Sequence, residues 1–392
     1  MEEVFIVAAK RTPIGGFMGN LSHLSAPELG AIAIRGAIAS SGINPANIDE
    51  VYFGNVLSAN LGQSPARQAA MFAGIPAEAD ATTINKVCAS GMKATAFGAQ
   101  QIQLGLSDLV VTGGMESMSN SPHYQYIRKP NKLGHTTLVD GMIKDGLWDV
   151  YNNYHMGSAA EFCAREYGFT RENQDEYALA SYARASKAGK AGKFAEEIIP
   201  VTVKQKTGDI TIRDDEDIYK VIPEKVSKLS PVFEQGGTVT AANASNINDG
   251  ATALILASKE AVEKYGLKPL AKIIAFADAA QAPERYATTP SLAIPKALRQ
   301  AGLSMDEIDF FEINEAYAVV ALANQKILNI NPDKLNVYGG AVAMGHPLGV
   351  SGARIICTLL SVLKQESGKY GVAAICNGGG GATAMVVENL QW

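Results

Sequence analysis

AIRGAIASSGI, residues 33–43, and AIPKALRQAGL, residues 293–303, set small and apolar residues at matching positions, and each closes on a glycine, Gly42 and Gly302. Each reads as the end of an amphipathic helix stopped by a glycine cap. The register persists beyond the helix. NPANIDEVYFGNV and SMDEIDFFEINEA follow, and in them Ile48-Asp49 and Ile308-Asp309 lead into short strand-like runs. Further on, CASGMKATAFGAQQIQLG is paralleled by LGVSGARIICTLLSVLKQ, each a Ser-Gly ahead of a helix rich in Ala, Leu and Ile. A buried strand carrying glycines follows each helix: DLVVTGGMESM in one half, YGVAAICNGGGGATAM in the other. The chain is written twice. Strands alternating with helices predict two similar α/β halves with right-handed crossovers and a largely parallel sheet in each.

Between the halves the texture changes. NSPHYQYIRKPNKLGHTTLVDGMIKDGLWDVYNNYHMG is polar, aromatic and turn-rich, and TRENQDEYALASYARASKAGKAGKF then reads as helical, with Thr170 as its N-cap. This organisation divides the chain into residues 1–117 plus 247–269 as the first half, 118–246 as an inserted loop domain, and 270–392 as the second half. An insertion of this length in a repeated core is expected to bind substrate.

With 392 residues, 47% hydrophobic and 19% charged, the chain has material for two or three domains around a substantial core. The net charge of −5 is interspersed, leaving no basic face for nucleic acid or an anionic membrane. MEEVFIVAAKRTPIGGF lacks the basic flank and long apolar core of a signal peptide, no run is expected to span a membrane, and ENLQW is no targeting address. A cytoplasmic protein is expected. Cys88, Cys163, Cys357 and Cys376 are scattered without a CxxC pair, so neither a zinc site nor a disulfide framework is indicated.

Two of these cysteines sit in unusual company. In NKVCASGMK, Cys88 precedes small residues and a good helix, which places its sulfur near a helix N-terminus where the dipole favours thiolate. The bland alternative is a core thiol. A nucleophile needs a base, and of the five histidines His346, in the glycine-rich GGAVAMGHPLGVSGA, occupies the loop that the repeat sets opposite that of Cys88. Pseudo-symmetric loops meeting at an interface bring thiol and imidazole together. Cys376, in ICNGGGGA, ends a buried strand and enters four glycines that let backbone N–H groups approach a ligand. In FEINEAY, Asn314 and Glu315 end an apolar strand, as turn formers or as site residues. CNGGGG lacks both the Lys-Ser/Thr of a P-loop and the spacing of a dinucleotide fingerprint, so nucleotide binding is rejected.

Taken in order, NKVCASGMK, GGMESMS, TVTAANAS, NEA, GGAVAMGHPLGVSGAR and CNGGGG resemble a thiolase over the entire chain. The resemblance implies the thiolase fold, a five-layered αβαβα core of two similar halves with an inserted loop domain, and a homotetramer. It implies that Cys88 takes up the acyl group, that His346 activates it, and that Cys376 moves the proton of the second acetyl-CoA. It further implies two oxyanion sites, one from His346 and a water held on Asn314, the other from the backbone N–H groups of Cys88 and Gly378. Substrates by resemblance are acetyl-CoA, acetoacetyl-CoA and coenzyme A, with no bound cofactor.

YHMG resembles the short-chain biosynthetic members, the acetyl-CoA C-acetyltransferases, which puts His155 and Met156 against the coenzyme A arm and acyl pocket. Ser245 matches the contact to pantetheine, and Ala316 and Tyr317 of NEAY lie at the pocket. Tyr317 replaces the family's usual Phe, adding a hydroxyl. Tyr286-Ala287 stand where some mitochondrial members carry Phe-Pro, so the resemblance does not extend to 2-methyl-branched substrates. TVTAANAS, FADAA and ASYARAS resemble the potassium-activated mitochondrial type, which implies a potassium ion on carbonyls of Ala241, Ala242, Ala244 and Val342 with the Tyr182 hydroxyl. Rival readings are a degradative 3-ketoacyl-CoA thiolase of broader chain length, a thiolase-like protein that binds acyl-CoA or lipid without catalysis, and a cysteine hydrolase. Two cysteines sharing one pocket would also be open to oxidative coupling.

Overall fold

The computed structural model describes residues 2–128, 132–204 and 208–391. The first half comprises β1 (Val4–Arg11), α1 (Ala26–Ser41), β2 (Glu50–Gly54), α2 (Pro65–Ala73), β3 (Asp80–Ile84), α3 (Ser90–Gln103), β4 (Leu109–Ser117) and the returning β5 (Asn248–Ser258). Between β4 and β5 lie α4 (Met156–Tyr167) and α5 (Arg171–Lys190). The second half comprises β6 (Ala271–Ala280), α6 (Pro290–Ala301), β7 (Phe310–Ile313), α7 (Ala318–Leu328), α8 (Leu348–Gln365), β8 (Tyr370–Asn377) and β9 (Gly381–Asn389).

The principal strands pair in the order β7-β8-β9-β6-β1-β5-β4-β2-β3. The run β2-β4-β5-β1 of the first half is repeated as β7-β8-β9-β6 in the second. The two runs meet where Val4–Ile6 of β1 pair antiparallel with Ala271–Ile273 of β6. Only β2 with β3, β2 with β4 and β7 with β8 are parallel; the remaining principal pairs are antiparallel. The expectation of a largely parallel sheet in each half is therefore corrected to a mixed one. The reason is the short return from Asn377 to Gly381, which leaves β9 no room for a crossover and forces antiparallel pairing with β8. β5 takes the equivalent place in the first half after the insertion.

The five layers follow from what each helix touches. α1 packs on β1, β4 and β5, and α6 on β6, β8 and β9, as the outer layers. α3 and α8 pack against each other between the two runs of strands. α8 is 18 residues long and reaches the hydropathy of a membrane span, contrary to the expectation that no run would. It is 83% buried within the protein, where it supplies the central layer.

Equivalent residues of the repeat do equivalent work. Gly42 and Gly302 cap α1 and α6 at φ 72° and 69°, a conformation costly to any side chain with a Cβ. Asp49 Oδ2 accepts the N–H groups of Asp108 and Leu109, both at 2.8 Å, and Asp309 Oδ2 accepts those of Lys369 and Tyr370 at 2.7 and 3.0 Å. Each aspartate pins the start of a central strand.

The inserted segment folds over the second half. α4 packs on α7, and α5 packs on α7 and on the short helix Ala341–Met344. Thr170 caps α5 as expected, its hydroxyl accepting the Asn173 N–H at 3.2 Å. A buried cluster ties the insertion to β1: the Arg11 guanidinium donates to Glu197 at 2.7 Å and to both oxygens of Asp215 at 2.6 and 2.9 Å.

Candidate active site

The chain leaves β3 through a strained turn. Val87, a β-branched residue, has φ +48°, a conformation retained only where the surroundings over-determine it. They do so here. The Ser90 hydroxyl donates to the Val87 carbonyl at 2.6 Å and accepts the Lys86 N–H at 2.9 Å, while Asn85 Oδ1 accepts the Val87 N–H at 2.9 Å. From the second half, Asp278 and Thr383 hold the Lys86 ammonium at 2.5 and 2.9 Å. Cys88 is thereby presented just ahead of α3.

His346 arrives by the equivalent loop ahead of α8. Its N–H donates to Asn248 Oδ1 at 3.1 Å, and Asn248 is in turn held by Asp217 at 2.9 Å. Its Nδ1 lies 2.6 Å from Ser351 Oγ. The Ser351 hydroxyl donates to the Pro347 carbonyl at 3.0 Å, so its one hydrogen is used. Nδ1 must then carry the imidazole proton, which leaves Nε2 with a free lone pair. Nε2 is buried and has no protein partner among the described residues.

Two glycines at matching positions let the loops meet. A Cβ on Gly91 would lie 2.9 Å from the Ala353 nitrogen, and one on Gly352 would lie 2.6 Å from the Met92 nitrogen. Only hydrogen fits where α3 and α8 touch near their N-termini. Both helix starts therefore open on one cavity of about 270 Å³, whose wall includes Cys88, His346 and Gly378. His155, Met156, Ala244, Ser245, Ala316 and Tyr317 complete the predicted residues in that wall. Two converging helix N-termini favour negative charge there.

Cys376 and Asn314 sit behind this wall rather than in it. Cys376, fully buried at the end of β8, packs in one apolar cluster with Met156, Tyr286, Ala316 and Tyr317. Asn314, at the end of β7, has both side-chain amide atoms unpartnered among the described residues. Its neighbour Glu315 is fully engaged instead, accepting from Tyr177, Ser181, Asn336 and the Val342 N–H at 2.7–3.1 Å. Glu315 is the anchor that clips α5 to the histidine loop.

Burial sets the resting charges. It pushes the Cys88 thiol up to about 12, although the N–H groups of Gly378 and of Cys88 itself donate to the sulfur and act the other way. The expectation of a thiol lowered by the helix dipole is thus corrected: α3 begins at Ser90, and loss of solvent outweighs its N-terminus. Burial, and then the charge of Arg354, push His346 down to about 3. The resting pair is neutral thiol and neutral imidazole. Burial also raises Cys376 strongly, followed by its proximity to Cys88.

A larger groove of about 660 Å³ adjoins the cavity and shares Phe233, Ala244, Ser245 and Asn246 with it. The Ser245 hydroxyl donates to the Ala316 carbonyl at 2.8 Å. His155 Nδ1 caps α4 by accepting the Gly157 N–H at 3.1 Å, and its ring stacks on Phe233 at 4.7 Å. Tyr182, Ala241, Ala242 and Ala244 line the groove, whereas Val342 lies behind it, packed in one cluster with Tyr182.

Phe233, Ser351 and Glu116 were not singled out by sequence reasoning. Glu116 accepts the N–H groups of Val56, Leu57 and Gly349 at 2.8–3.1 Å, joining the first half to the start of α8. Its signal was the one charged residue in an otherwise uncharged buried strand. Phe233 carried none, because an aromatic in a turn-rich insertion has no period to read.

The chain matches the family described as thiolase, N-terminal domain, over residues 4–260, and thiolase, C-terminal domain, over 267–389. It is 58% identical to an Arabidopsis thaliana protein named acetyl-CoA acetyltransferase 2, covering 99% of this chain and 97% of that one. It is 54% identical to a Gibberella zeae protein named acetyl-CoA acetyltransferase ERG10, cytosolic, over 99% and 98%. The structure superposes on Acat5 thiolase from Ascaris suum in complex with coenzyme A with TM-score 0.95 and 46% identity, covering 99% of this chain and all of that one.

Proposed function

This chain belongs to the thiolase family, and from that premise we propose that it is an acetyl-CoA C-acetyltransferase joining two acetyl-CoA into acetoacetyl-CoA and coenzyme A, reversibly. The observation that carries this reading is the meeting of Cys88, His346 and the Gly378 N–H in one cavity, with a second buried thiol, Cys376, behind it.

Acyl transfer begins with the neutral pair. As Cys88 Sγ attacks the thioester carbon, its proton passes to the bare Nε2 of His346, and the carbonyl oxygen gains negative charge. The N–H groups of Cys88 and Gly378, which already converge on the sulfur, are placed to stabilise that charge. Collapse expels the coenzyme A thiolate, which recovers the proton, and leaves acetyl-Cys88. For condensation, Cys376 first passes its own proton to His346 and, as thiolate, takes a methyl proton from the second acetyl-CoA; the carbanion attacks acetyl-Cys88, the carbon–sulfur bond breaks, and the Cys88 thiolate recovers the proton from His346. His346 and Asn314 supply the polar groups for the enolate oxygen. The coenzyme A arm lies in the outer groove past Ser245 and His155.

The inner cavity supports the short-chain reading over the degradative one. About 270 Å³ walled by Met156, Phe233, Tyr286 and Tyr317 suits an acetyl or acetoacetyl group. Thiolysis of acetoacetyl-CoA with free coenzyme A tests the proposal. Two acetyl-CoA formed only in the presence of coenzyme A support it; loss without coenzyme A indicates a hydrolase, and no loss indicates an acyl-binding protein. A faster rate on a longer 3-ketoacyl-CoA would favour the degradative type.

The proposal includes a cytoplasmic homotetramer, in keeping with the cytosolic name of the Gibberella zeae relative. It includes a potassium ion on the groove side of Tyr182. The carbonyls of Ala241, Ala242 and Ala244 with the Tyr182 hydroxyl are the oxygen donors a hard monovalent cation takes, and it would order the wall against the coenzyme A arm. Equal rates in potassium and sodium buffers of matched ionic strength would remove it.

A further inference from the structure

Acyl transfer as described leaves two buried ionisable side chains unused. Arg354 stands on α8 three residues beyond Ser351, and Glu312 stands on β7; each side chain is at most 2% exposed. Their closest approach, Arg354 Nη1 to Glu312 Oε2, is 3.7 Å, too long for a direct hydrogen bond. None of the three Arg354 nitrogens and neither Glu312 oxygen has a partner among the described residues. Burial alone does not explain this. Arg11 is equally buried, yet its guanidinium is matched to Glu197, Asp215 and the Thr12 carbonyl.

The unpartnered atoms also keep company with the site. Asn314 is two residues beyond Glu312 and so shares its side of the strand. Both Asn314 amide atoms and His346 Nε2 are likewise unpartnered among the described residues. α8 packs directly on β7, which brings the Arg354 side of the helix to that face. Buried polar groups in native proteins are hydrogen-bonded, a donor and an acceptor held just beyond bonding distance are what a bridging water joins, and buried water is found where several polar groups converge.

We infer that Glu312, Arg354 and Asn314 form a built internal water site behind the reactive cavity, in which Arg354 and Glu312 are positioning residues: through that water they orient Asn314 and hold His346 in its proton-accepting form. The inference deepens the acyl-transfer reading and rests on it. Arg354 is the charged group whose field opposes protonation of His346. The other charged groups around the loop are Asp217, Asp249, Glu116 and Glu315, with Arg11 and Glu197 behind Arg354. Glu312 is raised by burial to about 8, with the Arg354 charge acting the other way, and Glu116 is raised to about 7, so only a shift of the acid limb that R354Q shows and E312Q does not reports Arg354 itself.

The test uses the full chain. The wild type is crystallised at high resolution, and wild type, R354Q and E312Q are compared in acetoacetyl-CoA thiolysis over about pH 3 to 9. Expected are ordered water within bonding distance of both Arg354 and Glu312, a kcat reduced ~10-fold or more in R354Q with KM little changed, and an acid limb moved to higher pH by about one unit. E312Q, which preserves volume, is expected to lower kcat several-fold at unchanged KM. A direct Arg354–Glu312 bond with no water between them would overturn the inference, as would folded variants with unaltered kcat and acid limb. Should R354Q not fold, E312Q and the crystal structure decide. An inactive wild type would overturn the acyl-transfer reading instead, while the water site is still decided by crystallography.

Discussion

His346 Nδ1 lies 2.6 Å from Ser351 Oγ, and the same hydroxyl donates to the Pro347 carbonyl four residues back along α8. A single serine thereby fixes both the rotation of the imidazole and the nitrogen that carries its proton. Ser351-Gly352 matches Ser90-Gly91 in the repeat, and Ser90 holds the turn that carries Cys88. One element of the duplicated sequence braces the cysteine loop in one half and the histidine loop in the other.

S351A should free the imidazole to turn and to change tautomer. The expected result is a kcat lower by ~10- to 100-fold with KM within about threefold, since Ser351 lines neither the cavity nor the groove. Steady-state thiolysis measures both, and an unchanged kcat would show that the tautomer is set by something else.

The neutral Cys88 thiol has a pH signature. Below its pKa of about 12 the thiolate fraction rises roughly tenfold per pH unit, so alkylation of Cys88 by iodoacetamide should climb steadily across the neutral range. A preformed thiolate–imidazolium pair would instead give a rate that is flat there. The rate is followed by mass spectrometry of the Cys88 peptide.

His346 also links stability to pH. Its folded pKa, about 3, lies below the ordinary histidine value of about 6.5, so between these values the unfolded chain binds the proton that the folded chain refuses. Stability contributed by this group is complete above the unfolded value and is lost as pH falls toward 3. Denaturant titrations of H346N should show a shallower loss on the acid side than wild type.

G91A and G352A place a methyl against backbone, at 2.9 and 2.6 Å respectively. Backbone cannot rotate away as a side chain can, so each should cost about 2 kcal/mol or more and separate the two helix starts. Activity should fall further than stability, which thermal melts alongside turnover would show. Full activity in either variant would mean that the contact of α3 with α8 does not set the site.

D49A and D309A remove equivalent acceptors of two N–H groups and should destabilise by similar amounts, about 1 kcal/mol each. Neither lines the cavity, so kcat should be retained. Markedly unequal losses in urea titrations would show that the two halves no longer share their stabilising contacts equally.

Local chemistry made much of the molecule legible. The spacing from Ile48-Asp49 to DLVV and from Ile308-Asp309 to YGVA is fixed by helix and strand lengths along the chain, so duplication, caps and the order of elements could be read from residues alone. Cys88 and His346 of the cavity wall were marked by small neighbours and by their place in the repeat. Strand direction was not legible, because whether a strand enters by a crossover or a tight return depends on the sheet it joins. Nor were the charges. A thiol ahead of a helix suggests thiolate in sequence, but only the surrounding packing reveals that Cys88 has lost its water and stays protonated. The converse holds for Glu312 and Arg354: ordinary charges in sequence, they become a buried unmatched pair once β7 and α8 are laid together, since desolvation is a property of the whole fold and not of any stretch of chain.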